Sequence, residues 1–332
     1  RELGRLGHEV WVVAPEYGPP AEEEESVSRV PSRQVLFDPE DRMMRSGPLG
    51  RRLRALNGRG FDLVHVQTPF VAHYAGLRLA RHWGVPCVET YHTFFEEYLF
   101  HYLPVLPKSA WRAVARLFSR RQCNRLNGLV VPSRAMREVL ERYGVRTTMR
   151  VIPTGMPLDA FQEGDREAFR VRHGIAVDQP TLVFVGRVAF EKNIEFLLEV
   201  VRALKQTSHP DIVLIVAGEG PAEGRLHRLA GELGVRDNLR FVGYLARGTD
   251  LASCYQAGEA FVFASRTETQ GLVLLEAMSL GVPVVSTAVM GTRDILAAGK
   301  GALVAEEEVS DFAGQVRRVL DDAALRRRLS QE

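Results

Sequence analysis

Two glutamates close to a predicted helix start are the first residues in this sequence whose spacing could support chemistry. Glu268 lies in a polar turn, and Glu276 follows eight positions later, within an apolar run. At about 1.5 Å of rise per residue, both carboxylates could face one ligand across the start of the helix. Main-chain N–H groups from Thr269 to Leu272 would be free there and would favour a phosphate or sugar oxygens. The alternative is a surface turn with two solvated acids.

A second set of polar residues follows a predicted buried strand in the same half of the chain. Gly186 ends the strand, Arg187 comes next, and Lys192 stands five residues later at a helix start. Two cations beside a helix N-terminus suit an organic diphosphate. Ordinary surface ion pairs are the alternative. Farther on, Gly218 follows another strand, where a glycine would let a flat base or a ribose approach the backbone.

The elements that must position these residues alternate between strands and helices. This alternation predicts two doubly wound α/β domains in series, residues 1–153 and 154–332, with a ligand site in the cleft at the carboxyl ends of their strands. Residues 22–60 are interpreted as solvated loop and helix. The predicted strands are 9–14 (buried), 61–66, 86–90, 128–131, 181–185, 212–217, 239–241 and 258–263, and the predicted helices are 71–83, 108–127, 134–143, 194–205, 226–233 and the apolar run 272–280, which ends at Gly281 and Pro283 before a strand at Val284.

Composition narrows the class of protein. The 332 residues are 45% hydrophobic and 25% charged, which is ordinary for a soluble globular protein of two domains. No apolar run has the length of a membrane span, and no signal peptide is present. The three cysteines, Cys87, Cys123 and Cys254, match no zinc spacing and indicate a reducing compartment. Charge is uneven: residues 1–153 hold 23 basic and 16 acidic side chains, whereas 154–332 hold 20 and 25.

Three segments, in this order and spacing, resemble the C-terminal domain of the retaining glycosyltransferases of family 4. They are FVGRVAFEKN (184–193), VAGEGP (216–221) and SRTETQGLVLLEAMSLGVPVV (265–285). The segments DLVHV (62–66) and VIPTGM (151–156) also match, so the resemblance covers nearly the whole chain. It implies the GT-B fold, with two Rossmann-like domains facing across a cleft, and a nucleotide-sugar donor. A coincidental α/β protein is the alternative.

The resemblance also implies roles for single residues. Arg187 and Lys192 would hold the donor diphosphate and offset the charge that grows as it leaves, Glu276 would accept hydrogen bonds from the ribose, and Glu268 would grip the sugar near its C3 hydroxyl. The positions expected to bind the donor are Gly186, Gly218, Gln270, Gly271, Leu272 and Glu276, those at 270–272 through main-chain N–H groups.

In the first half, the resemblance assigns a sugar contact to His92, which ends a predicted strand. A half-buried structural histidine is the alternative. Gln67 stands where relatives often have a histidine, and no role is assigned to it. The chain starts abruptly with the end of a helix closed by Gly7, and the family's Gly-rich phosphate loop has no counterpart. We therefore expect an N-terminal strand and that loop to be missing from the sequence.

The expected mechanism follows from the residue types. No carboxylate is placed as a nucleophile for double displacement, and no DxD-like pair with a metal role is evident. We expect no permanently bound cofactor. Retaining transfer would then proceed by front-face attack, with the departing diphosphate helping to deprotonate the acceptor. Catalysis would rest on positioning and on stabilisation of leaving-group charge.

A basic segment in the first half of the chain bears on the identity of the acceptor substrate. Residues 98–137 contain eight Lys or Arg and no Asp or Glu. With apolar neighbours, a basic helix side predicts contact with an anionic membrane surface, where each cation adds about 1 kcal/mol. A core-packed helix with a solvated basic side is the alternative, and the lack of an RNA motif argues against nucleic acid. The expected membrane-facing residues are Lys108, Trp111, Arg112, Arg116, Phe118 and Arg120.

The segment TYHTFFEEYLFHYLP (90–104) resembles family members that glycosylate diacylglycerol on the cytoplasmic face of a membrane. The resemblance implies transfer of glucose from UDP-glucose to diacylglycerol by a peripheral enzyme on the inner face of the cell membrane. A phosphatidylinositol, soluble or polysaccharide acceptor stays open. So does a non-catalytic protein that only binds a nucleotide sugar.

Overall fold

The chain forms two compact α/β units. The computed structural model describes residues 2–17, 26–35, 38–92, 94, 108–156 and 164–332. Unit 1 comprises 1–92, 116–130 and 143–150, and unit 2 comprises 93–115, 131–142 and 151–332. Each has its own parallel sheet, as the predicted fold class requires. The expected domain boundary after residue 153 stays a prediction.

The first half of the chain carries a four-stranded parallel sheet and two small sheets. The strands of this half are β1 Val12–Pro15, β2 Val27–Val30, β3 Ser32–Val35, β4 Asp38–Met44, β5 Val64–Val66, β6 Cys87–Thr90, β7 Gly128–Val131 and β8 Met149–Val151, and its helices are α1 Glu2–Arg5, α2 Ser46–Ala55, α3 Val71–Trp83, α4 Lys108–Cys123 and α5 Arg134–Arg142. The order of the larger sheet is β5-β6-β7-β8, while β1 pairs with β2 in parallel and β3 with β4 antiparallel.

Most elements predicted in this half are present, with two corrections. The interpretation of residues 22–60 as loop and helix is wrong, since they include β2 to β4 before α2. A small sheet with a solvated face carries polar side chains on its strands, so it shows no continuous apolar run. The strand expected at 9–14 is shifted to β1 and is not buried. Val12 is 43% exposed, and within the described residues β1 pairs with β2 alone.

Unit 2 is built on a six-stranded parallel sheet. Its strands are β9 Thr181–Val185, β10 Val213–Ala217, β11 Leu239–Gly243, β12 Ala260–Phe263, β13 Val284–Ser286 and β14 Ala302–Val304, and their order in the sheet is β11-β10-β9-β12-β13-β14. Every residue of β9, β10 and β12 is buried, which explains why apolar runs alone predict these strands. Its helices are α6 Arg166–Arg172, α7 Ile194–Thr207, α8 Glu223–Glu232, α9 Thr249–Gln256, α10 Leu272–Ser279, α11 Gly291–Leu296, α12 Val309–Asp321 and α13 Ala323–Gln331, with 3₁₀ turns at Phe190–Lys192 and Arg236–Asn238.

The strand order of unit 2 fixes where a ligand would bind. The chain leaves β9 toward β10 on one side and later returns to place β12 on the other side. The carboxyl ends of β9 and β12 are therefore neighbours at the point where the strand order reverses. Open parallel sheets bind ligands at such a point.

The loops that follow β9 and β10 pack backbone against backbone. Gly218 has φ +131°, and a Cβ added there would lie 2.0 Å from the carbonyl oxygen of Gly186. The Val188 N–H donates to the carbonyl of Glu219 at 2.9 Å, which ties the same two loops together. The glycine that we expected to admit a ligand is thus already required by the neighbouring loop. None of the helices in the described part of the chain is both long enough and apolar enough to cross a membrane.

We predict that Gly218→Ala lowers the free energy of unfolding by at least about 2 kcal/mol, because the new methyl group has no space and the backbone conformation disfavours it. Gly314→Ala is the matched control: Gly314 lies inside α12 with nothing within 4 Å of an added Cβ. That substitution should raise stability by about 0.5–1 kcal/mol. Urea unfolding measures both, and equal effects of the two substitutions would contradict the packing argument.

Candidate functional site

An ion pair joins the two loops at the carboxyl ends of β9 and β12. The Lys192 ammonium donates to Glu268 Oε2 at 2.7 Å, and the two side chains are only 20% and 19% exposed. The sequence presented these residues 76 positions apart, and the fold brings them together. The pair leaves further N–H donors on Lys192 and a second carboxylate oxygen on Glu268. It can therefore meet an anionic group on one side and a hydroxyl on the other.

Backbone geometry holds both loops in place. Asn193 adopts a left-handed conformation (φ 57°) between the 3₁₀ turn and α7, and its side-chain amide donates to the Ala264 carbonyl at the end of β12. Gly271 is left-handed (φ 93°) and immediately precedes α10. A Cβ at Gly291 would lie 2.3 Å from the carbonyl oxygen of Thr269, so the turn before α10 rests directly on the start of α11.

A surface cluster braces the same loops from outside. Glu307, which follows β14, accepts hydrogen bonds from the Arg266 guanidinium and, at 3.3 Å, from the Asn193 amide. The Arg266 hydrogen bonds lower the pKa of Glu307, so its carboxylate stays ionised. One acid thus links residues that follow β9, β12 and β14.

Glu276 lies in α10, where it is buried and 5% exposed. The Tyr255 hydroxyl donates to its Oε2 at 2.7 Å, and the Arg247 guanidinium lies 3.6 Å from its Oε1. Burial, followed by the negative charge of Glu276, raises the pKa of Tyr255 well above its ordinary value, so the hydroxyl keeps its proton. Oε1, facing an Arg247 side chain that is 66% exposed, is the oxygen that a ribose could reach.

Gln270 uses its side chain as well as its main chain. The side-chain carbonyl accepts from the Thr154 N–H at 2.9 Å, and the side-chain amide donates to the Thr154 carbonyl at 3.0 Å. The buried amide therefore fixes the segment that precedes Met156. The role expected for the main-chain N–H groups at 270–272 stays a prediction, as do those of Gly186 and of Arg187, which is half-buried.

In unit 1, His92 belongs to a hydrogen-bonded cluster at the ends of β5 and β6. Its Nε2 lies 3.2 Å from the Gln67 side-chain carbonyl, and the Gln67 amide nitrogen lies 3.1 Å from His65 Nε2. Thr90 Oγ1 is 2.8 Å from the same nitrogen of His65. Since the Gln67 carbonyl can only accept, His92 carries its proton on Nε2 and, when neutral, offers Nδ1 as an acceptor.

Neighbouring atoms remove part of the water around His65 and His92, although both side chains remain exposed at the surface. Burial lowers the pKa of His92 from 6.5. Burial and the nearby His92 lower the pKa of His65 in the same direction. Both imidazoles are therefore uncharged near pH 7, the state in which His92 could hydrogen-bond a sugar hydroxyl.

The structure places the residues expected at a membrane on helix α4, in different environments. Trp111 and Arg112 are half-buried, and Phe118 stacks on Phe70 with ring centroids 5.6 Å apart. Arg116 and Arg120 are exposed, although the Arg116 guanidinium also lies 5.6 Å from the centre of the Tyr143 ring. The exposed apolar residues of α4 include Val114 and Leu117, at 47% and 50%. The side chain of Lys108 lies outside the described residues.

Two family models match the chain. The model described as Glycosyl transferases group 1 matches residues 165–332, and Glycosyltransferase Family 4 matches residues 1–160. The chain belongs to the family-4 glycosyltransferases. The resemblance found in the sequence is thereby confirmed.

Known proteins agree with this assignment. The chain is 31% identical over 294 residues to the alpha-monoglucosyldiacylglycerol synthase of Streptococcus pneumoniae, and the match covers 86% of this chain and 65% of that protein. It is 31% identical over 302 residues to a GDP-mannose-dependent alpha-mannosyltransferase of Mycolicibacterium smegmatis, and the match covers 89% of this chain and 75% of that protein. The solved structure of Anabaena HepE in complex with UDP and glucose has a TM-score of 0.73 at 16% identity, covering 92% of this chain and 79% of that one. The structural likeness confirms the GT-B fold.

Some residues of the candidate site could not be identified from the sequence of this family-4 glycosyltransferase. Tyr255 lies in α9, where no local pattern signals a site. Gln67 directly follows the segment DLVHV, but no role was assigned to it because relatives often have a histidine there. Asn193 and Arg266 stand inside segments that carried the resemblance, so their positions were the available signal. Glu307 could not be found without the strand order.

We predict that Tyr255→Phe lowers the free energy of unfolding of the family-4 glycosyltransferase by about 1–3 kcal/mol, because a buried carboxylate loses its donor. Tyr244→Phe is the control, since Tyr244 is 73% exposed and its effect should stay within about 0.5 kcal/mol. Chemical denaturation followed by fluorescence measures both. A neutral result at Tyr255 would show that its hydrogen bond does not hold Glu276.

A second prediction concerns pH. Because the pKa values of His65 and His92 are lowered in the folded state, the unfolded chain takes up their protons first as pH falls, and stability drops below about pH 6.5. The double variant His65→Asn/His92→Asn should lose less stability between about pH 7.5 and about pH 5.5 than the unchanged protein. Urea unfolding at both pH values tests this, with exposed His8→Asn as control. An unchanged pH slope in the double variant would refute it.

Proposed function

We propose that this protein is a retaining hexosyltransferase that moves glucose from UDP-glucose to diacylglycerol at a membrane surface. The observation that carries the proposal is the Lys192–Glu268 pair at the strand-order reversal of unit 2. The chain spans 65% of the pneumococcal relative, so the activity of the whole protein is part of the proposal.

The two residues of the ion pair would bind different parts of the donor. The ammonium of Lys192 would receive the diphosphate, and the carboxylate oxygen of Glu268 that does not bond Lys192 would accept from a sugar hydroxyl. A pair that is already formed costs little reorganisation when the donor binds. Because the pair itself is neutral, a diphosphate needs a further cation, and Arg187 in the same loop supplies it.

The nucleoside would lie toward Glu276. Its Oε2 is held by the Tyr255 hydroxyl, so Oε1 is presented in a fixed orientation. A carboxylate oxygen accepts from two adjacent ribose hydroxyls, which suits any nucleoside diphosphate. UDP is proposed because HepE of the same fold was solved with UDP and glucose.

The reaction would follow from positioning and charge. Lys192 and Arg187 stabilise the negative charge that develops on the departing diphosphate, and Glu268 orients the sugar. We infer front-face attack with retention, in which the leaving diphosphate takes the acceptor proton. Neutral His92, with Nδ1 as acceptor, would hold a sugar hydroxyl.

The acceptor is proposed from the basic first half of the chain and from one relative. The pneumococcal relative is named a glucosyldiacylglycerol synthase, and α4 exposes Arg116, Arg120 and Leu117 on its surface. Such a helix suits attachment to the inner face of a cell membrane, without crossing it.

The direct test is a transfer assay on the purified chain. UDP-glucose and GDP-mannose are each offered with phosphatidylcholine vesicles containing diacylglycerol, with vesicles containing phosphatidylinositol, and with buffer alone. We expect glucosyldiacylglycerol with an α-linkage from UDP-glucose only. Turnover of GDP-mannose, or with phosphatidylinositol, would contradict the proposed substrates, and donor binding without any turnover would favour a non-catalytic protein.

Within that assay, Lys192→Ala should lower kcat by about 10²–10³-fold, because a preorganised cation at the leaving group is lost. Lys300→Ala, an exposed lysine in unit 2, is the matched control and should keep full activity. Near-normal turnover of Lys192→Ala would show that Lys192 does not stabilise the leaving group.

A further inference from the structure

Side chains join the two loops of unit 2 that carry the ion pair of the candidate site. The β9 loop (residues 186–193) follows β9, and the β12 loop (residues 264–271) follows β12. Backbone contacts hold the β9 loop to the loop after β10, and the β12 loop to α11. Between the two loops, the Asn193 side-chain amide donates to the Ala264 carbonyl at 3.2 Å. The alignment of one loop with the other therefore depends on side chains as well as on the sheet.

Glu307, which follows β14, reaches both loops at once. Its Oε1 accepts from the Asn193 amide at 3.3 Å and from the Arg266 Nε–H at 2.8 Å. Its Oε2 accepts from the same Arg266 Nε–H at 2.9 Å. The carboxylate thus bonds the last residue of the β9 loop and a residue that stands two positions before Glu268. We call these three residues, Glu307, Asn193 and Arg266, the Glu307 brace.

The geometry of the Glu307 brace separates it from ordinary surface ion pairs. Most exposed pairs contribute little, but a guanidinium that bonds both oxygens of one carboxylate within a larger network is an exception. The Glu307 side chain is 28% exposed, so it is less hydrated than the 61% exposed Arg266. The Arg266 hydrogen bonds lower the pKa of Glu307, so the brace keeps its negative charge at neutral pH.

Asn193 is the residue through which the brace reaches Lys192. Its φ of 57° lies in the left-handed region, which is strained for a residue other than glycine. Such a conformation persists where surrounding contacts maintain it. The side-chain bonds of Asn193 to Ala264 and Glu307 are contacts of this kind. Because Lys192 is the preceding residue, the direction of its side chain depends on the same turn.

We propose that Glu307 is a positioning residue for the transfer reaction. By bonding Asn193 and Arg266, it keeps the β9 and β12 loops aligned, so that the ion pair meets the donor in one geometry. Glu307 itself contacts no substrate. The inference rests on the proposed function and adds a residue from a third loop to it. None of the segments that carried the family resemblance contains Glu307, so the structure alone identifies it.

The kinetic test is Glu307→Ala in the transfer assay with UDP-glucose. We expect kcat to fall about tenfold while KM for UDP-glucose changes less than about twofold, because misaligned groups slow the chemical step. Glu307→Gln keeps the shape and one acceptor oxygen, so its loss should be smaller, about threefold. Unchanged kcat in Glu307→Ala, or a rise in KM alone, would overturn the proposal.

The matched control is the neighbouring acid. Glu306 is exposed, and its main-chain N–H donates to Asp311 at 2.8 Å. Glu306→Ala removes the same charge from the same loop and should keep full activity. An equal loss of kcat in Glu306→Ala and Glu307→Ala would overturn the proposal, because the charge of the loop would then explain the effect.

A double-mutant cycle separates positioning from a general loosening of unit 2. In a Lys192→Ala background the ion pair is already lost, so Glu307→Ala should lower kcat by less than about threefold there. A tenfold loss in both backgrounds would show that Glu307 does not act through the pair.

Amide hydrogen exchange followed by mass spectrometry tests the Glu307 brace without any substrate. Glu307→Ala should speed exchange in residues 190–193 and in residues 264–268, whereas Glu306→Ala should leave both unchanged, because exchange reports local opening. Unchanged exchange in either loop of Glu307→Ala would overturn the proposal. Absence of glucose transfer by the unaltered protein would instead contradict the proposed function, so the two failures are distinguishable.

Discussion

The ion pair between Lys192 and Glu268 depends on one topological fact: β9 and β12 are neighbours in the sheet. After β9 the chain adds β10 and β11 on one side of β9, and it then crosses back to add β12 on the other side. This reversal of strand order brings Glu268, which follows β12, next to Lys192, which follows β9. The pair is about one-fifth exposed, so loss of one partner would leave a poorly solvated charge. Stability of the loops and readiness for an anionic ligand therefore rest on the same contact.

The loops that carry this pair are fixed by main-chain packing more than by side chains. Gly218 against Gly186, and Gly291 against Thr269, are approaches that any Cβ would prevent. Such contacts leave little freedom for rearrangement, because backbone atoms cannot change rotamer. If the site holds a sugar and a diphosphate as proposed, it gains from this rigidity, because both must be kept in one geometry. Side chains such as Gln270, bonded twice to Thr154, extend the same rigidity to the segment before residue 156.

The sequence allowed much of unit 2 to be predicted, because strands buried on both faces must be apolar throughout. It also identified Lys192 and Glu268 as separate candidates, since each follows a recognisable strand end. Their contact could not be predicted, because it depends on pairing between strands that are distant in the chain. Tyr255 was missed for a related reason: it acts on a residue of another element, and nothing in its own segment distinguishes it. No role was assigned to Gln67, whose contacts with His65 and His92 depend on the pairing of β5 with β6. In the first half, polar strands β2 to β4 were hidden by their solvated faces.

The distribution of charge shows two different uses of electrostatics in one chain. Most residues of unit 2 lie in the acidic half of the chain, yet its candidate site would take an anionic diphosphate. Recognition there would depend on Lys192, Arg187 and main-chain N–H groups next to the ligand. Net charge matters little over that range, since exposed charges farther away than about 10 Å are screened by salt. Unit 1 comes from the basic half, and its arginines are spread over exposed helices, where summed charge acts on an extended anionic surface. Local geometry would therefore select the donor, while diffuse charge would bring the protein to the membrane.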